Sequence, residues 1–195
     1  MPLKGTTEAP FYLRDEVAID SLHRMPPDLR VRFEEVAIVF LDVDGVLTDA
    51  TRSISSGGES ALTFSGRDGL GIAMLQHSGT SVVFISALSS SMVDQRAREL
   101  GVKTTHLGVR DKDAVIAAHY AASGGPAIFV GDDLWDLHAI GRAHIGVAVG
   151  DAVPEVRLAA DVVTHHSGGR GAVRQVCDLV LAAKNIDRLA LLADL

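Results

Sequence analysis

The chain has 195 residues, enough for one domain with a substantial core; 47% of its residues are hydrophobic and 22% are charged. The formal net charge of −7, without a cluster of Lys and Arg, argues against a nucleic-acid partner or an anionic membrane surface. Cys177 is the single cysteine, and there is neither a signal-peptide core nor an apolar run of about 18–20 residues. We expect a cytoplasmic protein that binds neither nucleic acid nor membranes.

Residues 1–33 contain four prolines and mixed charges, and they predict an N-terminal extension with a short helix over Leu13–Arg24. Residues 34–195 are expected to form one domain in which strands and helices alternate. The predicted strands cover 36–41, 81–86, 127–130, 146–149 and 161–164, with a hairpin over 50–63 that turns at 56–58. The predicted helices cover 69–78, 90–100, 113–123, 134–140 and 153–160, before a long helical segment over 171–195. This alternation predicts an α/β fold with a doubly wound, three-layer parallel sheet.

The first predicted strand ends in two acids. Asp42 and Asp44 follow the apolar run 36–41 directly, within the sequence VAIVFLDVDGVLTD. Two carboxylates this close repel each other unless a cation or a shared proton relieves them. A helix cap or an Asx turn is the structural alternative for either residue. The pair therefore indicates a metal site, a carboxylate nucleophile with an acid/base partner, or both.

Other polar residues follow the next strands of the predicted sheet. Ser86 ends one strand, Asp132 and Asp133 follow another, and Lys112 precedes a helix. The carboxyl ends of parallel strands meet at one edge, where ligands bind in such folds. Carboxylate oxygens suit Mg²⁺, and a lysine would balance their charge. Taken alone, Ser86 fits a capping serine and the acid pair fits a turn equally well, and Lys112 fits a surface lysine better than a site residue; their joint order indicates a site.

This order of motifs resembles the haloacid dehalogenase superfamily of phosphotransferases over about Val36–Leu181. Within it, the chain is similar to the 3-deoxy-D-manno-octulosonate 8-phosphate phosphatases and related nonulosonate-phosphate phosphatases. The segments that carry this resemblance are DVDGVLTD at 42–49, FSGRDG at 64–69, Arg96-Ala97, Lys112, GDDLWDL at 131–137 and GGRGAVR at 168–174.

The resemblance implies a Mg²⁺-dependent phosphomonoesterase that works through an aspartyl-phosphate. Asp42 would be the nucleophile and Asp44 the general acid/base. Asp42, the backbone carbonyl of Asp44, and Asp132 would hold Mg²⁺, with Asp133 in support. Ser86 and Lys112 would bind phosphate. The candidate substrate-binding residues are Arg67, Asp68, Gly69, Arg96, Trp135 and Arg174.

The same resemblance implies a capless fold with a small β-hairpin flap, and a homotetramer. The hairpin over 50–63 and a neighbour's tail over 168–174 would close each site. Two positions depart from the family pattern, because Ala73 and Leu88 stand where the octulosonate phosphatases have arginines. A small sugar-acid or sugar phosphate is the expected substrate; a nucleoside monophosphate, or a non-catalytic binding role, is the alternative.

Overall fold

A computed structural model describes residues 9–14, 16–57, 60–122 and 124–193 of the chain. Within these residues the strands, numbered along the chain, are β1 (Phe11–Tyr12), β2 (Ile38–Asp42), β3 (Ser53–Ile54), β4 (Ser60–Ala61), β5 (Ser81–Ser86), β6 (Thr104–Leu107), β7 (Ala127–Gly131), β8 (Ile145–Ala148) and β9 (Val162–Val163). Seven of them form one parallel sheet in the order β1-β9-β8-β7-β2-β5-β6, and β3 and β4 pair antiparallel as a separate hairpin.

The helices cover both faces of this sheet. In chain order they are α1 (Ala18–Arg24), α2 (Pro27–Glu34), α3 (Gly66–His77), α4 (Ser91–Glu99), α5 (Lys112–Ala121), α6 (Leu137–Arg142), α7 (Pro154–Ala159), α8 (Ala172–Ala183) and α9 (Arg188–Leu191). The helices form two groups that pack together. Helices α1, α2 and α3 contact α8, and helices α5 and α7 contact α6. The predicted doubly wound α/β fold, with a small hairpin between β2 and α3, is confirmed.

The register of the central strands determines where the polar residues lie. Strand β2 lies between β5 and β7, with Asp42 opposite Ile85 and Leu41 opposite Val130. The apolar residues of β2 are buried, as expected for a strand with neighbours on both sides and helices on both faces. After β2 the chain adds β5 and β6 on one side of it and then β7, β8 and β9 on the other side. The acid pair after β2 therefore lies at the switch point, where the strand order reverses.

The prediction of one long helical segment over 171–195 is wrong. Helix α8 ends at Ala183, and Asn185 then adopts a left-handed backbone with φ of 56° before α9 begins. Asparagine tolerates this conformation better than most residues and ends a helix in this way. The predicted strand over 81–86, by contrast, is confirmed with the same bounds as β5.

The N-terminal segment joins the sheet. Strand β1 pairs with β9 at the sheet edge, and Leu13 donates a backbone hydrogen bond to Val163. The predicted helix over Leu13–Arg24 therefore begins only at Ala18, and α2 and the edge strand β6 are absent from the prediction. The division of the chain at residue 33 stays a prediction. Two other predictions lie partly outside the described residues: the turn over 56–58 and the end of the helix over 113–123. None of the helices in the described part of the chain is long and apolar enough to span a membrane.

Candidate active site

A buried lysine joins two of the acids at the carboxyl edge of the sheet. Lys112 begins α5, and its ammonium nitrogen lies 2.7 Å from Oδ1 of Asp42 and 2.6 Å from Oδ1 of Asp136. The Lys112 side chain is 3% exposed, and Asp42 and Asp136 are buried as well. Burying one charge without partners would be very costly, so these residues stabilise each other as a unit.

The pKa values of Asp42, Lys112 and Asp132 are all raised. Burial, reinforced by Asp136, raises the pKa of Asp42 well above its ordinary value, although Lys112 opposes the shift. Burial alone would lower the pKa of Lys112, but the carboxylates of Asp42 and Asp136 outweigh it and raise that pKa. Burial and the charge of Asp136 also raise the pKa of Asp132, to about 7. One lysine therefore does not neutralise the negative charge that these acids carry when ionised.

The acids are arranged as a divalent cation requires. One carboxylate oxygen from each of Asp42, Asp132 and Asp136 lies within 4.8 Å of the others. Oδ1 of Asp132 is buried and has no hydrogen-bond partner among the described residues. A buried, unpaired carboxylate oxygen is costly unless a ligand meets it, and oxygen donors of this kind suit Mg²⁺. The residues present therefore fit the predicted ion.

The glycine after the acid pair is required by close packing. Gly45 has a φ of 91°, and a Cβ added to it would lie 2.0 Å from Oδ2 of Asp132. A side chain at this position would be strained by the backbone conformation and would also push Asp132 out of the cluster. The DxDG sequence thus allows the loop after β2 to approach the loop after β7.

The second acid of the pair contacts different partners. Oδ2 of Asp44 accepts a hydrogen bond from Ser86 Oγ at 3.3 Å, and its Oδ1 lies 2.9 Å from Nη2 of Arg52, just before β3. Ser86 Oγ also accepts the backbone N–H of Leu88 at 3.0 Å. The structure therefore brings together Asp42, Asp44, Ser86, Lys112 and Asp132, as the sequence predicts.

Asp136 is the acid that sequence reasoning missed. Its second carboxylate oxygen accepts the backbone N–H groups of Asp132 at 3.0 Å and Asp133 at 3.5 Å, so it shapes the loop that carries both. Its position four residues after Asp132 is the one signal the sequence offered. The predicted metal-supporting residue, Asp133, is exposed and accepts the backbone N–H of Leu134 at the start of a 3-10 turn over Leu134–Asp136. The structure thus accounts for Asp133 as a helix cap, and its support of the metal stays a prediction.

Two of the predicted substrate-binding residues lie in the body of the protein. Asp68 is buried in α3 and accepts backbone N–H groups from Gly171 at 3.2 Å and Arg174 at 2.7 Å, so it caps the N-terminus of α8. Gly69 is buried too, and a Cβ there would lie 2.5 Å from Nη2 of Arg96. These contacts explain both residues without a substrate, and their predicted substrate contacts stay untested.

The other substrate candidates are closer to solvent. Exposed Arg67 and half-buried Arg174 line a cavity of about 340 Å³ beside α8, where Arg174 pairs with Asp178 at 2.9 Å. Arg96 lies over the ring of Phe64, 5.8 Å from its centroid. Trp135 is 60% exposed next to Asp136, and Arg110 lies over its ring at 5.8 Å. Trp135 therefore lies near the acidic cluster, whereas the cavity that Arg67 and Arg174 line lies beside α1 and α8.

The predicted tail contacts its own chain. Gly169 donates its backbone N–H to Val46 at 2.8 Å, and Arg170 pairs with Asp49 at 3.2 Å. A Cβ at Gly168 would lie 1.8 Å from the backbone oxygen of Gly45. The segment over 168–174 therefore supports the loop after β2 from within the same chain, and a role across a subunit interface stays a prediction.

Acids and a lysine gathered at the switch point of a parallel α/β sheet are typical of haloacid dehalogenase-like hydrolases. A family model with that description matches residues 114–176. The chain is 36% identical over 161 residues to the 3-deoxy-D-manno-octulosonate 8-phosphate phosphatase of Salmonella typhimurium, which covers 81% of this chain and 86% of the relative. The corresponding enzyme of Escherichia coli K12 is 37% identical over 162 residues, covering 80% of this chain and 85% of the relative.

Solved structures are similar to this chain in both fold and sequence. The 3-deoxy-D-manno-octulosonate 8-phosphate phosphatase of Moraxella catarrhalis, solved with magnesium, phosphate and KDO, has a TM-score of 0.81 and 34% identity over 87% of this chain and 99% of that one. A hypothetical protein from Xanthomonas campestris has a TM-score of 0.83 and 33% identity over 93% of this chain and 98% of that one. The chain belongs to the family of 3-deoxy-D-manno-octulosonate 8-phosphate phosphatases, and it is a phosphatase.

Proposed function

We propose that this protein is a Mg²⁺-dependent phosphomonoesterase that acts on the phosphate ester of a small sugar acid, of the kind that 3-deoxy-D-manno-octulosonate 8-phosphate represents. The observation that carries the proposal is the contact of Lys112 with both Asp42 and Asp136, beside the unpaired Oδ1 of Asp132. A buried acidic cluster with one resident cation attracts a divalent metal and a phosphoryl group together. The names of the relatives support the sugar acid as substrate.

The chain's own residues divide the phosphoryl transfer into two steps. In the first step, an oxygen of Asp42 attacks phosphorus while the bond to the ester oxygen breaks, and Asp44 gives its proton to that leaving oxygen. In the second step, water attacks the phosphorus of the aspartyl-phosphate and gives a proton to Asp44. The bond between phosphorus and the Asp42 oxygen breaks, so inorganic phosphate leaves and Asp42 becomes a carboxylate again. Ser86 and Lys112 are expected to hold the phosphoryl oxygens in both steps.

Mg²⁺ would be held by Asp42, Asp132 and the backbone carbonyl of Asp44, with Asp136 at the edge of the cluster. When bound, the ion supplies positive charge that offsets the repulsion among the acids and between them and the phosphate. Lys112 contributes a fixed positive charge 2.7 Å from Oδ1 of Asp42. A non-catalytic role is not favoured, because Asp42, Asp44 and Lys112 are all present and close together.

We also infer a cytoplasmic homotetramer. The hairpin of β3 and β4 has two residues in each strand, and Ile54 on it is 73% exposed. Isolated two-stranded hairpins are marginally stable in water, so a neighbouring subunit packed on this hairpin would stabilise it. Light scattering coupled to size-exclusion chromatography tests this inference. A mass four times that of the chain supports it, and a monomer mass contradicts it.

A phosphate-release assay tests the proposed function. The purified protein is given 3-deoxy-D-manno-octulosonate 8-phosphate, a neutral hexose 6-phosphate or a nucleoside monophosphate, with Mg²⁺ or with EDTA. We expect activity that needs Mg²⁺ and a kcat/KM at least about tenfold higher for the sugar-acid phosphate, the difference that one charge-assisted contact can provide. Equal rates on all three esters, or activity that EDTA does not affect, would contradict the proposal.

A further inference from the structure

A cation on the hairpin segment lies next to the proposed acid/base. Nη2 of Arg52 is 2.9 Å from Oδ1 of Asp44, and the other oxygen of that carboxylate accepts the hydrogen bond from Ser86. An acid that protonates a leaving oxygen must be in hydrogen-bond contact with it. A group bonded to the same carboxylate therefore lies beside the leaving group of the bound ester.

Arg52 retains the capacity to bind a second anion. A guanidinium carries five N–H donors in a planar fork, and the contact with Asp44 uses Nη2. Within the described residues no other hydrogen bond of this guanidinium is found, and the Arg52 side chain is 32% exposed. Its remaining donors are thus available to a ligand that reaches the site from solvent.

Three other cations around the site are paired with acids, and a fourth, Arg110, lies over the ring of Trp135. Lys112 contacts Asp42 and Asp136 and is buried, Arg170 pairs with Asp49, and Arg174 pairs with Asp178. The loop after β5 presents the apolar side chain of Leu88, which is 48% exposed. A carboxylate on the leaving group needs a cation, and Arg52 is the arginine that touches the proposed catalytic pair.

We propose that Arg52 is a specificity-determining residue that binds a carboxylate on the leaving group of the phosphate ester. The inference rests on the proposed function and narrows its substrates to esters whose alcohol carries an anionic group. Because Arg52 lies just before β3, this selectivity would depend on the hairpin segment.

Two substrates that differ only in the carboxylate test this proposal. In 6-phosphogluconate the far end of the chain is a carboxylate, and in sorbitol 6-phosphate it is a hydroxymethyl group. We expect wild-type protein to prefer 6-phosphogluconate by at least about tenfold in kcat/KM. We expect Arg52→Gln to lose about 10- to 100-fold more kcat/KM on 6-phosphogluconate than on sorbitol 6-phosphate, because loss of the Asp44 contact affects both esters and loss of the carboxylate contact affects one.

Two controls separate selectivity from folding and from the proposed function itself. Arg24→Gln removes an arginine of the same 32% exposure, which pairs with Glu16 away from the site, and it should keep the preference. Hydrolysis of p-nitrophenyl phosphate with Mg²⁺ reports the chemistry common to all esters, and any loss that Arg52→Gln shows on it measures the effect of the lost contact with Asp44 alone. If wild-type protein does not hydrolyse p-nitrophenyl phosphate, the proposed function is contradicted. If wild-type protein does not prefer 6-phosphogluconate to sorbitol 6-phosphate, or if Arg52→Gln loses activity equally on all three esters, the role of Arg52 is overturned.

Discussion

The ammonium group of Lys112 lies 2.6 Å from Asp136, which in turn holds the backbone of Asp132 and Asp133. One carboxylate thus joins the first residue of α5 to the loop after β7. Through Lys112 the same link reaches Asp42 at the end of β2. The proposed nucleophile, phosphate-binding lysine and metal ligand are therefore positioned by one buried acid.

Replacing Asp136 with Asn should impair catalysis. The change removes the negative charge that holds Lys112. An amide has one acceptor oxygen, so it cannot accept hydrogen bonds from the lysine and from the loop as the two carboxylate oxygens do. We expect kcat/KM for p-nitrophenyl phosphate to fall about 10- to 100-fold, as is common when a residue supporting a metal site is altered. Asp187→Asn, which changes a capping acid at the distant start of α9, should leave kcat/KM within about threefold. Wild-type activity in Asp136→Asn would contradict this role.

The apparent affinity for Mg²⁺ should depend on pH near neutrality. Asp132, with a pKa of about 7 in the metal-free protein, must lose its proton to bind the ion. Below that pKa, protons compete with the metal, and the raised pKa of Asp42, a second proposed ligand, adds to this effect, so the apparent dissociation constant should rise by at least about tenfold per pH unit as pH falls toward 5. Calorimetric titrations with Mg²⁺ at several pH values measure this slope. A dissociation constant that does not change over this range would contradict the account.

A methyl group at residue 45 should disrupt the site. In Gly45→Ala the new Cβ would collide with the Asp132 carboxylate, and the backbone at φ of 91° would be strained. We expect loss of Mg²⁺-dependent activity and a free energy of unfolding lower by at least about 1–3 kcal/mol. The matched variant Gly66→Ala adds a methyl group with no atom within 4 Å in the first turn of α3, so it should keep full activity. Equal behaviour of the two variants would refute the steric argument.

Removal of the Asp68 carboxylate should destabilise the protein more than it weakens substrate binding. Its two backbone hydrogen bonds join α3 to the N-terminus of α8. Asp68→Ala leaves buried N–H groups without acceptors, at a cost of about 1–3 kcal/mol in the free energy of unfolding. Chemical denaturation measures this change, and steady-state kinetics measures KM. A large rise in KM with unchanged stability would instead favour the substrate contact predicted from the sequence.

Residues that combine burial with chemistry were predictable from the sequence. The apolar run before Asp42 and the run SVVFIS ending in Ser86 have no polar residue inside the strand. The end of each strand is therefore predictable, and the site residue lies at that end. Lys112 was predictable only jointly with the acids. Its identity alone fits an exposed lysine, and its burial follows from tertiary contacts with Asp42 and Asp136.

Features set by tertiary contacts were not predictable in this way. Strand β6, with the sequence TTHL, is an edge strand, and its polar residues give no buried pattern. Asp136 follows two exposed apolar residues, Leu134 and Trp135, and nothing in that order points it at Lys112. The contact of Arg52 with Asp44 depends on how the hairpin segment folds over the sheet, which spacing along the chain does not specify.

The central claim, that Asp42 is the nucleophile, is tested most directly by phosphate release from Asp42→Asn at saturating Mg²⁺. The amide keeps the shape of the side chain and lacks the charge that burial disfavours, so the metal-free variant should remain folded. We expect activity to fall at least about 10³-fold, because an amide cannot attack phosphorus as a carboxylate does. A folded Asp42→Asn protein that retains more than about a tenth of wild-type activity would contradict the claim.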